Sequence, residues 1–115
     1  MAFTKKQREK IHSKYGGNCA YCGCEITVKE MQIDHIIPKR RFKEGDKSVD
    51  DEVNLNPSCG VCNNRKSGNG VETFRNELSE QINRLNSYSS NFRIAKRYGL
   101  VQEIQKPIVF YFENF

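Results

Sequence analysis

Two C-x-x-C pairs, Cys19 with Cys22 and Cys59 with Cys62, constrain this chain more than any other feature. Each pair turns two thiolates toward one point from a tight knuckle, and two knuckles complete the tetrahedral four-sulfur shell that Zn²⁺ prefers. The chain between the pairs becomes a loop closed at both ends by the ion. At 115 residues the chain has room for one small core, so a structural metal supplies stability that burial alone does not. Cys24, two residues after Cys22, is read as a spare thiol.

An odd cysteine count and the lack of a leader-like apolar stretch at the N-terminus argue against a disulfide scaffold and for a reducing, cytoplasmic setting. The longest apolar runs, such as Ile108 to Phe112, fall far short of the roughly 20 residues that span a bilayer. The formal net charge is +5, a weak pointer to a polyanionic partner. Its distribution says more. Residues 1–70 carry 13 Lys and Arg against 9 Asp and Glu, whereas 71–115 carry 6 against 5. The basic clusters flank the cysteine frame: Lys5, Lys6, Arg8, Lys10 and Lys14 precede it, Lys39, Arg40, Arg41 and Lys43 lie inside it, and Arg65 and Lys66 follow it.

Local signals outline an α+β chain. Thr4 as N-cap with Gln7 in the capping-box position predicts a helix to Tyr15, stopped by Gly16-Gly17. Short strands are expected at Glu25–Val28, Met31–Ile37 and Val53–Asn56, with a long charged loop over 39–52. The second knuckle runs into a helix ending near Ser67. Val71, Phe74, Leu78, Ile82 and Leu85 recur at helical spacing and predict one helix of about four turns. A shorter helix over Phe92–Tyr98 is capped by Gly99, and Ile108–Phe112 reads as a terminal strand. The chain is thus read as one domain: a zinc-braced core at 1–70 and a helical extension at 71–115 that packs on the core or forms a dimer surface.

The residues inside the frame carry hydrolytic chemistry. To attack a phosphodiester, water must lose a proton, which a histidine with an ordinary pKa of about 6.5 accepts at neutral pH. His35 is the candidate. Charge on the leaving oxygen calls for a hard divalent cation, which oxygen donors such as the Asp34 carboxylate and the Asn63 amide hold while leaving positions open. His12, in the basic first helix, is read as a packing or surface residue.

Asp34-His35-Ile36-Ile37-Pro38, then Asn54-Leu55, then Cys59-Gly60-Val61-Cys62-Asn63-Asn64-Arg65-Lys66 together resemble the HNH endonucleases. The resemblance covers roughly residues 5–70. It implies a ββα-metal finger braced by a four-cysteine zinc site. It also implies that His35 is the general base, that Asn54 holds the loop and orients the base, and that Asp34 and Asn63 bind catalytic Mg²⁺ or Mn²⁺. Asn63 stands where many members carry histidine, which favours these harder ions over Zn²⁺ or Ni²⁺. DNA cleaved to a 5′-phosphate and a 3′-hydroxyl is the implied reaction.

Lys39, Arg40, Arg41, Lys43, Arg65 and Lys66 are expected to contact the nucleic-acid backbone. No base-reading module is evident. A zinc-ribbon nucleic-acid-binding module without catalysis, and an RNase or nuclease toxin, share many of these features. A homodimer, or a phage or mobile-element partner protein, is left open.

Overall fold

The computed structural model describes residues 3–115 and is mixed α and β, with one small two-stranded sheet among the described residues. Helix α1 covers Lys5–Ser13, with the Thr4 hydroxyl accepting from the Gln7 amide and the Gln7 side chain returning to the Thr4 amide. That reciprocal pair satisfies two of the donors a helix start leaves open. Gly16 and Gly17 then take positive φ and end the segment.

The sheet pairs β1, Gln32–His35, antiparallel to β2, Leu55–Ser58, with Asp34 opposite Asn56 and His35 opposite Leu55. The expected strand at Glu25–Val28 is reduced to a single bridge from Glu25 to Asn18. The reason is local. The Thr27 hydroxyl accepts from the Glu30 amide, and Met31 N–H bonds Thr27 C=O, folding the segment into a turn before it extends. The long loop holds three short 3-10 turns, Lys39–Arg41, Lys47–Asp50 and Glu52–Asn54. Helix α2, Gly60–Lys66, starts with Cys59 as its N-cap and ends at Ser67, whose φ of 52° is the left-handed turn that stops it.

Residues 3–71 and 109–115 form one compact unit and residues 72–108 another. The first unit has an apolar core of Ile11, Met31 and Leu55, with Phe3, Ile26 and Ile33 packed on it. Arg8 ties α1 to the turn by donating to the carbonyls of Val28 and Met31 at 2.7 and 2.6 Å. The terminal residues are not a strand. Tyr111–Asn114 is a 3-10 turn, Tyr111 and Phe112 N–H bond the Tyr21 and Ala20 carbonyls, and Phe110 and Phe112 meet the Tyr21 ring edge-on. These two backbone bonds and the ring packing hold the apolar run in place without a strand ladder. So the last seven residues belong with the core and not with the extension at 71–115.

In the second unit, the single long helix expected from Val71 to Leu85 is two, α3 at Val71–Ser79 and α4 at Gln81–Tyr88. Side chains compete for the carbonyls at the break: Ser79 Oγ donates to Arg75 C=O at 2.9 Å, and Gln81 and Arg84 both donate to Glu77 C=O. Helix α5, Ser90–Arg97, follows after Ser89, which caps it through the Phe92 amide. No helix among the described residues is long and apolar enough to cross a membrane.

Candidate metal frame and hydrolytic site

The four cysteines that frame the sequence meet in space. The sulfurs of Cys19, Cys22, Cys59 and Cys62 all lie within 4.8 Å of one another, and Cys22 and Cys59 are 3.9 Å apart. A tetrahedron with Zn–S bonds of about 2.3 Å has an edge of about 3.8 Å, so the spacing suits zinc. Each knuckle is shaped by its own backbone: Tyr21 N–H points at Cys19 Sγ and Cys62 N–H at Cys59 Sγ, both at 3.4 Å. Gly23, at φ 83°, sits so close to the Tyr111 ring that a Cβ there would lie 2.8 Å from it. Only glycine fits this turn.

The acid-base balance of the cluster asks for a cation. Cys19 is pulled down to about 4 by the hydrogen bond from Cys62, while the same contact pushes the Cys62 thiol far up. One thiolate forms at its neighbour's expense; four together need positive charge among them. Cys24 is exposed, and its contact with Cys22 pushes it up to about 12.

The frame braces β1, where successive side chains leave to opposite faces. Asp34 faces α2. Asn63 and Lys66, one turn apart on that helix, meet Gln32 and Asp34, one pleat apart on the strand. The Asn63 amide donates to Gln32 Oε1. Lys66 Nζ lies 3.2 and 3.1 Å from the two Asp34 oxygens and also donates to the carbonyls of His35 and Asn69, at 2.9 and 2.7 Å. The Tyr21 hydroxyl donates to Asp34 from within the first knuckle. Burial raises the Asp34 carboxyl above the usual carboxylate range although Tyr21 and Lys66 pull it down, and burial raises the Tyr21 hydroxyl as well.

Lys66 therefore does not reach a phosphate. It is 1% exposed and saturated with internal acceptors, which corrects the expectation of a backbone contact. Sequence alone had one clue: a lysine three residues after Asn63 shares its helix face.

His35, on the opposite face and mostly buried, places Nε2 2.8 Å from Asp50 Oδ1. Nothing in the sequence singles out Asp50, which is one acid in a charged loop. Asn54 is buried and clips the loop shut. Its Oδ1 accepts from Ile37 N–H at 2.8 Å, and its Nδ2 donates to Val49 C=O at 2.9 Å. The clip thus fastens the residues just beyond His35 to the residue just before Asp50. His12 packs, as its Nε2 lies 2.6 Å from Ile26 O.

The basic loop residues Lys39, Arg40, Arg41 and Lys43 are exposed, as is Arg65. Arg40 and Arg41 extend toward Gly68 and Gly70 in the turn after α2. Arg40 and Arg41 thus lie beside the turn that ends α2.

A family model described as HNH endonuclease matches residues 19–69. A search of curated proteins finds no match. Among solved structures, that of the Type II-C Cas9 enzyme from Actinomyces naeslundii is similar, with a TM-score of 0.54 at 22% identity. The likeness covers 92% of this chain but only 14% of that one, and at this identity it is a likeness of fold. The cysteine frame and the strand it braces both lie inside the matched span, so residues 19–69 are similar to the HNH endonuclease domains.

Proposed function

We propose that this chain is a metal-dependent endonuclease that hydrolyses DNA phosphodiester bonds, with His35 as general base. The observation that carries the reading is the setting of His35. One ring nitrogen is held by Asp50, and the other, Nδ1, has no hydrogen-bond partner among the described residues, beside a loop of exposed cations. A mostly buried imidazole with one open nitrogen suits proton abstraction from a bound water.

Asp34 and Asn63 would hold the catalytic Mg²⁺ or Mn²⁺. A carboxylate has about four lone-pair sites. Tyr21 and Lys66 make three contacts with Asp34, leaving one site, and the Asn63 amide uses its nitrogen on Gln32, leaving its oxygen. Two oxygen donors fit a hard ion that keeps most of its waters. When bound, it would offset charge on the leaving oxygen. In-line displacement sets attacking and leaving oxygens on opposite sides of phosphorus, which accords with a base and an ion-binding acid on opposite faces of one strand.

The four-cysteine frame would bind structural zinc and take no part in the reaction. Lys39, Arg40, Arg41, Lys43 and Arg65 would hold the DNA backbone. The test is supercoiled plasmid incubated with the zinc-loaded protein and Mg²⁺, with and without chelator. Relaxed or linear product that requires Mg²⁺ and is lost in His35→Ala supports the reading. DNA binding without any cleavage would point instead to a binding module.

A further inference from the structure

His35 and Asp50 come from opposite ends of the long loop, yet their side chains meet at 2.8 Å. Both are largely shielded, with side chains 13% and 27% exposed. The closure is held by Asn54, which bonds Ile37 on one side and Val49 on the other, and by Ile36 N–H donating to Asn54 C=O at 2.9 Å. Asp50 also sits at the end of a short 3-10 turn whose start is capped by Asp46 through the Ser48 amide, so its backbone is fixed from both directions. This placement is built rather than incidental.

We propose that Asp50 is a positioning residue for His35: it sets the ring's rotation and its tautomer, so that Nδ1 is the nitrogen offered to water. The inference rests on the endonuclease reading for its kinetic consequence but not for its structural one. An ionised carboxylate only accepts, so in the neutral ring the shared hydrogen lies on Nε2 and the lone pair on Nδ1. Without Asp50 the imidazole would divide between tautomers and rotate about its side-chain bonds, and only part of the population would present a basic nitrogen in the right direction. Asn54 acts one step further back, since its clip brings Asp50 within reach.

The experiment combines two readouts on the zinc-loaded full chain. Long-range ¹H–¹⁵N correlation of the imidazoles should show His35 with its hydrogen on Nε2 in the wild type and a mixture of tautomers in Asp50→Ala. Plasmid cleavage at saturating Mg²⁺ should fall in Asp50→Ala by about ten- to a hundredfold, a part of the ~10²–10⁴ that a positioned base contributes. DNA affinity and the Mg²⁺ concentration for half-maximal rate should stay within about twofold, because the loss lies in the chemical step. Asp50→Asn, whose amide oxygen still accepts from Nε2–H, should recover much of the rate, and zinc content checks that each variant is folded. A wild-type His35 carrying its hydrogen on Nδ1 would overturn the proposal, as would an Asp50→Ala rate within twofold of wild type. So would a loss that excess Mg²⁺ restores, which would make Asp50 a metal ligand. If the wild type cleaves nothing, the endonuclease reading fails, while the tautomer still decides whether Asp50 positions the ring.

Discussion

Lys66 Nζ lies within 3.2 Å of both carboxylate oxygens of Asp34, and the two side chains are 1% and 5% exposed. A buried pair of this kind costs desolvation on both sides, so it adds little net stability as a pair but much is lost if one partner goes. Here it joins α2 to β1 through Asp34, one of the two residues proposed to hold the ion.

Lys66→Met should therefore destabilise the fold by about 3–5 kcal/mol, since it strands a buried carboxylate. The effect should depend on pH with a definite sign. Burial already raises the Asp34 carboxyl, and removing Lys66 removes one of the causes that pull it down. A raised carboxyl contributes stability below its unfolded value of about 3.9 and loses it as pH rises through the folded value. The gap between variant and wild type in urea unfolding should narrow as pH falls from neutral toward about 5. A gap that widens instead would show that Asp34 is not the group stranded.

One zinc per chain should be found by elemental analysis, and Cys59→Ser should lose both zinc and soluble, folded protein. Apparent binding energies of structural zinc run to about 10–16 kcal/mol, comparable with the whole stability of a small domain. Cys24→Ser should keep its zinc, because Cys24 stands outside the four-sulfur cluster.

His35→Ala should cut plasmid cleavage by about two orders of magnitude or more while leaving DNA affinity near wild type, as expected of a group that acts in the transition state. Asn63→Ala should instead raise the Mg²⁺ concentration needed for half-maximal rate. Equal metal titrations for Asn63→Ala and wild type would remove Asn63 from the ion site.

Binding should fall steeply with salt, with a log–log slope of about −0.9 per neutralised phosphate on duplex DNA. Replacing Arg40 and Arg41 together should flatten that slope by about two phosphates' worth and leave the cleavage pattern unchanged, since phosphate contacts position without reading bases. Lys66→Met, by contrast, should leave the slope unaltered because its ammonium is buried. A footprint on one defined sequence that survives high salt would show base readout that these residues do not supply.

Features that depend on neighbours along the chain are legible in the residues themselves. The Thr4–Gln7 capping box, the glycine stop after α1, the Cys59 start of α2 and the convergence of two C-x-x-C knuckles all follow from contacts within a few residues, or from a metal's demand for four sulfurs. Other features depend on how distant segments pack. Arg65 and Lys66 are indistinguishable in the chain, yet one is exposed and the other is buried against Asp34, because the angle at which α2 meets β1 selects one helix face. Asp50 was one acid among several until loop closure by Asn54 carried it to His35. Ile108–Phe112 has the composition of a strand but lies against Tyr21 as an extended arm and turn, since a strand exists only where a partner edge offers its hydrogen bonds. Such outcomes depend on which distant surfaces meet, and a local pattern holds no record of that.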